Sequence, residues 1–151
     1  MVSARSVVLG TDSTPARWST DVLVALGLFV LVWIAYAVGA FAISGGVVFL
    51  AWDAAVVGVA AATVLAARSH GLAASWLTVY ASLLGYNADH YLLGLSHRPL
   101  GYRVAAFLQP DGLGFVAVEA LVLGTLAWAV GRGVALAVEV ARTRSSPDPS
   151  E

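Results

Sequence analysis

The sequence predicts an all-α integral membrane protein, a four-helix bundle with up-down topology. Three observations predict it. Apolar residues make up 60% of the chain and charged residues 11%, against roughly 45–50% and 25% in soluble domains. The apolar residues fall in runs of about 18 or more, the length that crosses a bilayer core. Those runs lack the alternating polar positions of a membrane strand. In hydrocarbon a helix satisfies its own backbone hydrogen bonds, so helices are what such runs form.

Each element follows from a local signal. Residues 1–20 read as a polar N-terminal segment, and residues 21–142 as the transmembrane domain. Ser19, Thr20 and Asp21 supply an N-cap. The first span then runs from Val22 to Ile43 without a charge. The run is too long, and its preceding segment too weakly positive, for a cleaved signal peptide at Ala40-x-Ala42. Ser44, Gly45 and Gly46 break the run into a helix hairpin, so the second span covers about Val47 to Ala67. The polar turn Arg68–Gly71 precedes a third span from about Leu72 to Leu95. Residues 96–112 hold Pro99, Gly101, Pro110 and Gly112 and read as a loop. Its middle, "GYRVAAFLQ", suits a short interfacial helix with Val104, Phe107 and Leu108 down and Arg103 up. The fourth span covers about 113–138 and continues as an emergent helix towards Arg142. Residues 143–151, rich in Ser and Pro, read as disordered.

Small residues recur seven apart: Gly46, Asp53, Ala60 and Ala67 in span two, and Ala117, Gly124 and Gly131 in span four. Such stripes let helix backbones approach closely. They occur equally by chance in a chain this rich in Ala and Gly.

Charge narrows the function classes. The net charge is −1 and all eight basic residues are Arg, so no nucleic-acid surface is implied. Cysteine is absent, which excludes disulfides and thiolate chemistry. With the N-terminus inside, Arg5, Arg17, Arg68, Arg132, Arg142 and Arg144 lie on inner segments, and Arg98 and Arg103 on outer ones. That asymmetry places both termini in the cytoplasm. The expected partners are the lipid bilayer and a second copy or a larger membrane complex.

The polar residues of an apolar chain carry the functional question. "YNADHYLLGLSHRP" gathers Asn87, Asp89, His90, His97 and Arg98 at the end of span three. Counted inward from the outer span ends, Asp53, Asp89, His90 and Glu119 lie at similar depths of roughly 8–12 Å. Arg103 belongs to the loop above them. A carboxylate in a membrane helix costs up to about 2.5–3.5 kcal/mol at the centre, so these groups are expected to face the bundle interior. Ser75, Thr78, Ser82 and Asp89 lie within about 40 degrees of one line on span three, a polar stripe aimed inward. Asn87 and His90 lie on a neighbouring stripe with Trp76 and Tyr80.

Three readings of the cluster follow. Asp53, Asp89 and Glu119 pair with Arg98 and Arg103 and pin the loop to the bundle. Alternatively they form a proton or ion pathway with Tyr86 and Tyr91 beside it. Or Asp53, Asp89, His90 and Glu119, with His97 nearby, ligate a metal in a membrane-embedded enzyme. The pattern names no cofactor, and neither H-E-x-x-H nor Glu-x-x-His is present. Haem ligation is disfavoured because His90 and His97 share one helix end and His70 lies at the opposite face. There is no Gly-x-Ser-x-Gly elbow, and "ISGGVV" lacks the lysine of a phosphate loop. "DHYLLGLSHRP" resembles the Asp-His and His-Arg pairs of membrane-bound metal-dependent hydrolases over those pairs alone. The further His of that pattern is replaced by "RPLGYR", so no family is assigned from it. The combined expectation is a multi-pass membrane component, non-catalytic or handling ions or protons, with a metal-dependent enzyme as the alternative.

Overall fold

The computed structural model describes residues 4–10, 15–41 and 51–144, and these are all-helical. The elements are α1 (Ala4–Leu9), α2 (Pro15–Ala37), α3 (Trp52–Ala67), α4 (Leu72–Ala88), a π-helical turn (Asp89–Gly94), α5 (Leu100–Phe107) and α6 (Pro110–Arg144). Among the described residues the only β-type pairing is an isolated bridge between Gly10 and His70.

The first helix boundary differs from the sequence expectation. α2 starts at Pro15, so Ser19, Thr20 and Asp21 lie inside it and not at its cap. Proline's fixed φ suits a first helical turn, where its missing N–H costs nothing. Thr20 Oγ1 donates back to the Ala16 carbonyl at 3.1 Å. The helix ends at Ala37, and Gly39 takes a left-handed φ of +73° just beyond it. The expected 44–46 turn lies outside the described residues, as do residues 145–151. Thr143 and Arg144, expected in the disordered tail, still belong to α6.

α4 is the hub. It packs against α2, α3 and α6, and α3 also packs against α6. The core is mostly apolar with a few polar side chains inside it, and the exterior is apolar as well. Ser75, Thr78 and Ser82 of α4 are buried. Leu23, Leu26 and Ile34 of α2 and Val122, Leu126 and Val130 of α6 are exposed. Both α2 and α6 are long and apolar enough to cross a membrane. α3 is apolar but shorter, at 16 residues.

Glycine sets the helix spacing. A Cβ on Gly58 would meet the Ser82 side chain at 2.9 Å, and one on Gly85 would meet the Phe29 carbonyl at 2.8 Å. Gly124 packs on Trp76, and Gly131 on Thr63 and Ala66. The seven-residue stripe of the fourth span therefore lies at helix contacts, with Gly124 and Gly131 buried and Ala117 half-buried. The stripe proposed for the second span does not. Ala60 is exposed, and the packed face runs through Ala54, Gly58, Ala62 and Ala66 at a spacing of four. Gly46 lies outside the described residues.

Candidate functional site

The end of the bundle carrying the π-helical turn holds the candidate site. α4 changes from α to π geometry at Asp89. Such widened turns are frequent at functional positions. Asp89 points into the bundle, with only 6% of its surface exposed. It makes no hydrogen bond or ion pair to another described residue.

Two more helices bring groups to it. Tyr36 of α2 is buried, and its hydroxyl lies against the backbone amide of Ala54. Asp53, Tyr86 and Asp89 are close enough to act on that hydroxyl electrostatically. The Tyr36 and Tyr86 rings meet edge to face with centroids 5.1 Å apart, and Phe41 caps Tyr36 at 5.2 Å. Asp53 occupies the first turn of α3, half-buried and engaged with neighbouring groups. Below this level Ser82 Oγ donates to the Ala54 carbonyl at 2.6 Å, locking α4 to α3.

Glu119 does not join them. Gly124 lies at the level of Trp76, so packing contacts fix the register of α6 against α4. Asp89 is 13 residues from Trp76 and Glu119 five from Gly124. At 1.5 Å per residue, Glu119 sits about 12 Å below Asp89. Counting inward from the ends of the apolar runs treated those ends as coplanar, and they are not. Glu119 is half-buried beside Val116 and Ala120 and forms no ion pair among the described residues.

The remaining predicted residues have other surroundings. Asn87 Nδ2 donates to the Leu83 carbonyl of its own helix at 3.1 Å. His90 is exposed, stacked on Tyr86 at 6.1 Å and edge-on to Tyr91 at 5.0 Å, and it is close enough to Asp89 to act on it electrostatically. His97 and Arg98 are exposed, and the Arg98 guanidinium lies over the Tyr102 ring at 5.5 Å. Arg103 is half-buried and donates to the Leu92 carbonyl. It therefore faces the π-helical turn and not away from the bundle, while Phe107 is half-buried and Val104 and the following Leu108 are exposed. The geometry has a reason: Leu92 lies in the last turn of the π-helix, where carbonyls lack an intrahelical partner, and a guanidinium is a good donor for one. Neither Arg98 nor Arg103 pairs with Asp89 or Glu119.

No group of three His, Asp or Glu side chains that could hold a metal occurs among the described residues. The arrangement instead offers one buried acid beside two phenols and a second acid. That is chemistry for holding or passing a positive charge.

Sequence reasoning missed Tyr36, which looked like one more aromatic in an apolar span. The available signal was its hydroxyl, which needs a partner once buried. It also missed the pairing of Asp21 with His70, whose Nδ1 lies 2.6 Å from Asp21 Oδ1 at the other end of the bundle. Comparison with protein-family models, curated proteins and solved structures yields no match.

Proposed function

We propose that this chain is a four-span, multi-pass integral membrane protein with both termini in the cytoplasm. In this reading it is a non-catalytic component that handles protons or small cations at Asp89. The observation that carries it is the apolar exterior of the bundle. α2 and α6 keep large apolar side chains exposed, while Ser75, Thr78, Ser82 and Asp89 are buried within an otherwise apolar core. Water would penalise that surface, and lipid would not. α2 and α6 have the length for a crossing, and the π-helical turn extends α4 to a comparable one.

The ion-handling part rests on Asp89. A buried carboxylate without a hydrogen-bond partner is costly to keep charged. A passing proton or cation relieves that cost, and Tyr36, Tyr86 and Asp53 stand ready as neighbours. Assembly with a second copy or a larger complex fits an exterior this apolar.

The natural absence of cysteine makes the test direct, because every introduced cysteine is unique. Cysteines at Ser3, Ser69 and Ser145 react with a membrane-impermeant maleimide only after the cells are opened. Cysteines at Ser44 and Gly101 react in intact cells. Any other alternation, or extraction of the protein by alkaline carbonate, overturns the four-span reading. Proton flux into protein-containing vesicles that persists in Asp89→Asn overturns the ion-handling role.

A further inference from the structure

The end of the bundle opposite Asp89 collects arginines from three elements. Arg17 of α2 donates from Nη2 to the Arg68 carbonyl at 3.0 Å. Arg132 of α6 reaches Ser69 Oγ from Nη1 at 3.4 Å. Arg68 itself is exposed. Two guanidinium groups thus meet the four-residue turn between α3 and α4, which itself carries Arg68. Among the described residues the acid beside them is Asp21, engaged by His70 at 2.6 Å.

Its position relative to the apolar surface is informative. Trp18, one residue after Arg17, is 42% exposed, and exposed Val22 and Leu23 follow on α2. Val64 and Val130 are exposed on α3 and α6, which meet at Gly131. The arginines therefore stand at the rim of an apolar surface with a tryptophan among them. That order of groups matches a headgroup region above acyl chains.

We infer that Arg17, Arg68 and Arg132 form a binding site for the phosphate of an anionic phospholipid headgroup. Arg132 spends one donor on a long contact and has others to offer, because a guanidinium carries five N–H groups. Its planar fork suits phosphate oxygens, and three such groups, from α2, α6 and the turn between α3 and α4, fix where the anion sits. The acyl chains of that lipid lie along the exposed valines below. The bound lipid ties α2, α6 and the α3–α4 turn together, reinforcing the protein contacts already there.

This inference rests on the membrane-spanning reading, and the two are separable by experiment. Native mass spectrometry of the detergent-solubilised full chain measures retention of phosphatidylglycerol against phosphatidylcholine from an equimolar mixture. The wild type retains phosphatidylglycerol preferentially. At about fivefold per arginine, Arg68→Gln with Arg132→Gln lowers that preference roughly 30-fold. Arg98→Gln, at the other end of the bundle, leaves it unchanged. Circular dichroism confirms that the variants are folded. Displacement of the lipid by excess inorganic phosphate supports recognition through the phosphate group. Inorganic phosphate binding without any lipid preference overturns the lipid as its source. A carbonate-resistant protein with equal retention of both lipids overturns the site alone. A carbonate-extracted protein overturns the membrane reading itself.

Discussion

His70 Nδ1 lies 2.6 Å from Asp21 Oδ1, joining the α3–α4 turn to α2 across 49 positions of chain. Both side chains are largely buried, at 12% and 13% exposed. A hydrogen bond to a charged group in such a setting contributes about 1.5–3 kcal/mol. Asp21→Asn and His70→Gln should each destabilise the protein by about that amount, and the double variant should cost little more than either alone. Thermal unfolding of the four proteins in detergent measures the coupling. Additive losses would mean that the two groups do not interact.

How far the sequence revealed this architecture depends on which forces decide each part. Helix existence was legible, because long apolar runs without alternating polar positions suit helices and not strands. The inward stripe of Ser75, Thr78 and Ser82 was legible because helical periodicity puts them on one face. Register was not. The depth of Glu119 depends on Gly124 meeting Trp76, a contact between residues 48 positions apart. No count along one helix contains that information. The direction of Arg103 was also hidden, because its partner is a main-chain carbonyl, that of Leu92, 11 positions back in the π-helical turn. The pairing of Asp21 with His70 needed the packing of α2 against α4, which neither helix alone contains.

Glycine packing gives a sharp contrast within one helix. A Cβ on Gly131 would overlap the Thr63 carbonyl oxygen and crowd Ala66, whereas one on Gly133 meets nothing within 4 Å. Gly131→Ala should force α3 and α6 apart and cost about 1–3 kcal/mol. Gly133→Ala should be neutral or stabilising by up to about 1 kcal/mol through helix propensity. Unfolding temperatures in the same detergent compare them. Equal effects at both positions would contradict the close α3–α6 contact.

If Asp89 handles ions as proposed, it should lower stability. The residue is buried and makes no hydrogen bond among the described residues. Asp89→Leu removes the burial penalty and should stabilise the protein by about 1 kcal/mol or more while abolishing proton or cation handling. Ser82→Ala, which removes the 2.6 Å bond to Ala54, should instead cost about 1 kcal/mol. A strongly destabilised Asp89→Leu would show that Asp89 braces the fold, and the ion-handling role would fall with that result.

Arg103 holds the short helix α5 to the π-helical turn through the Leu92 carbonyl. Its Nε is buried and bonds no other described residue, so the contact rests on the Nη1 bond. Arg103→Ala leaves a carbonyl unsatisfied and releases α5, at a cost of about 1–3 kcal/mol. The loss should be local, since α5 packs against the π-helical turn and not against the centre of α4. Hydrogen exchange read by mass spectrometry should therefore rise over 89–107 and stay unchanged over 72–84. Arg103→Lys should restore part of the protection, because an ammonium also donates to a carbonyl. Uniformly faster exchange throughout the protein would mean that this contact supports the whole bundle. Unchanged exchange over 89–107 would mean that α5 is held by its apolar contacts alone.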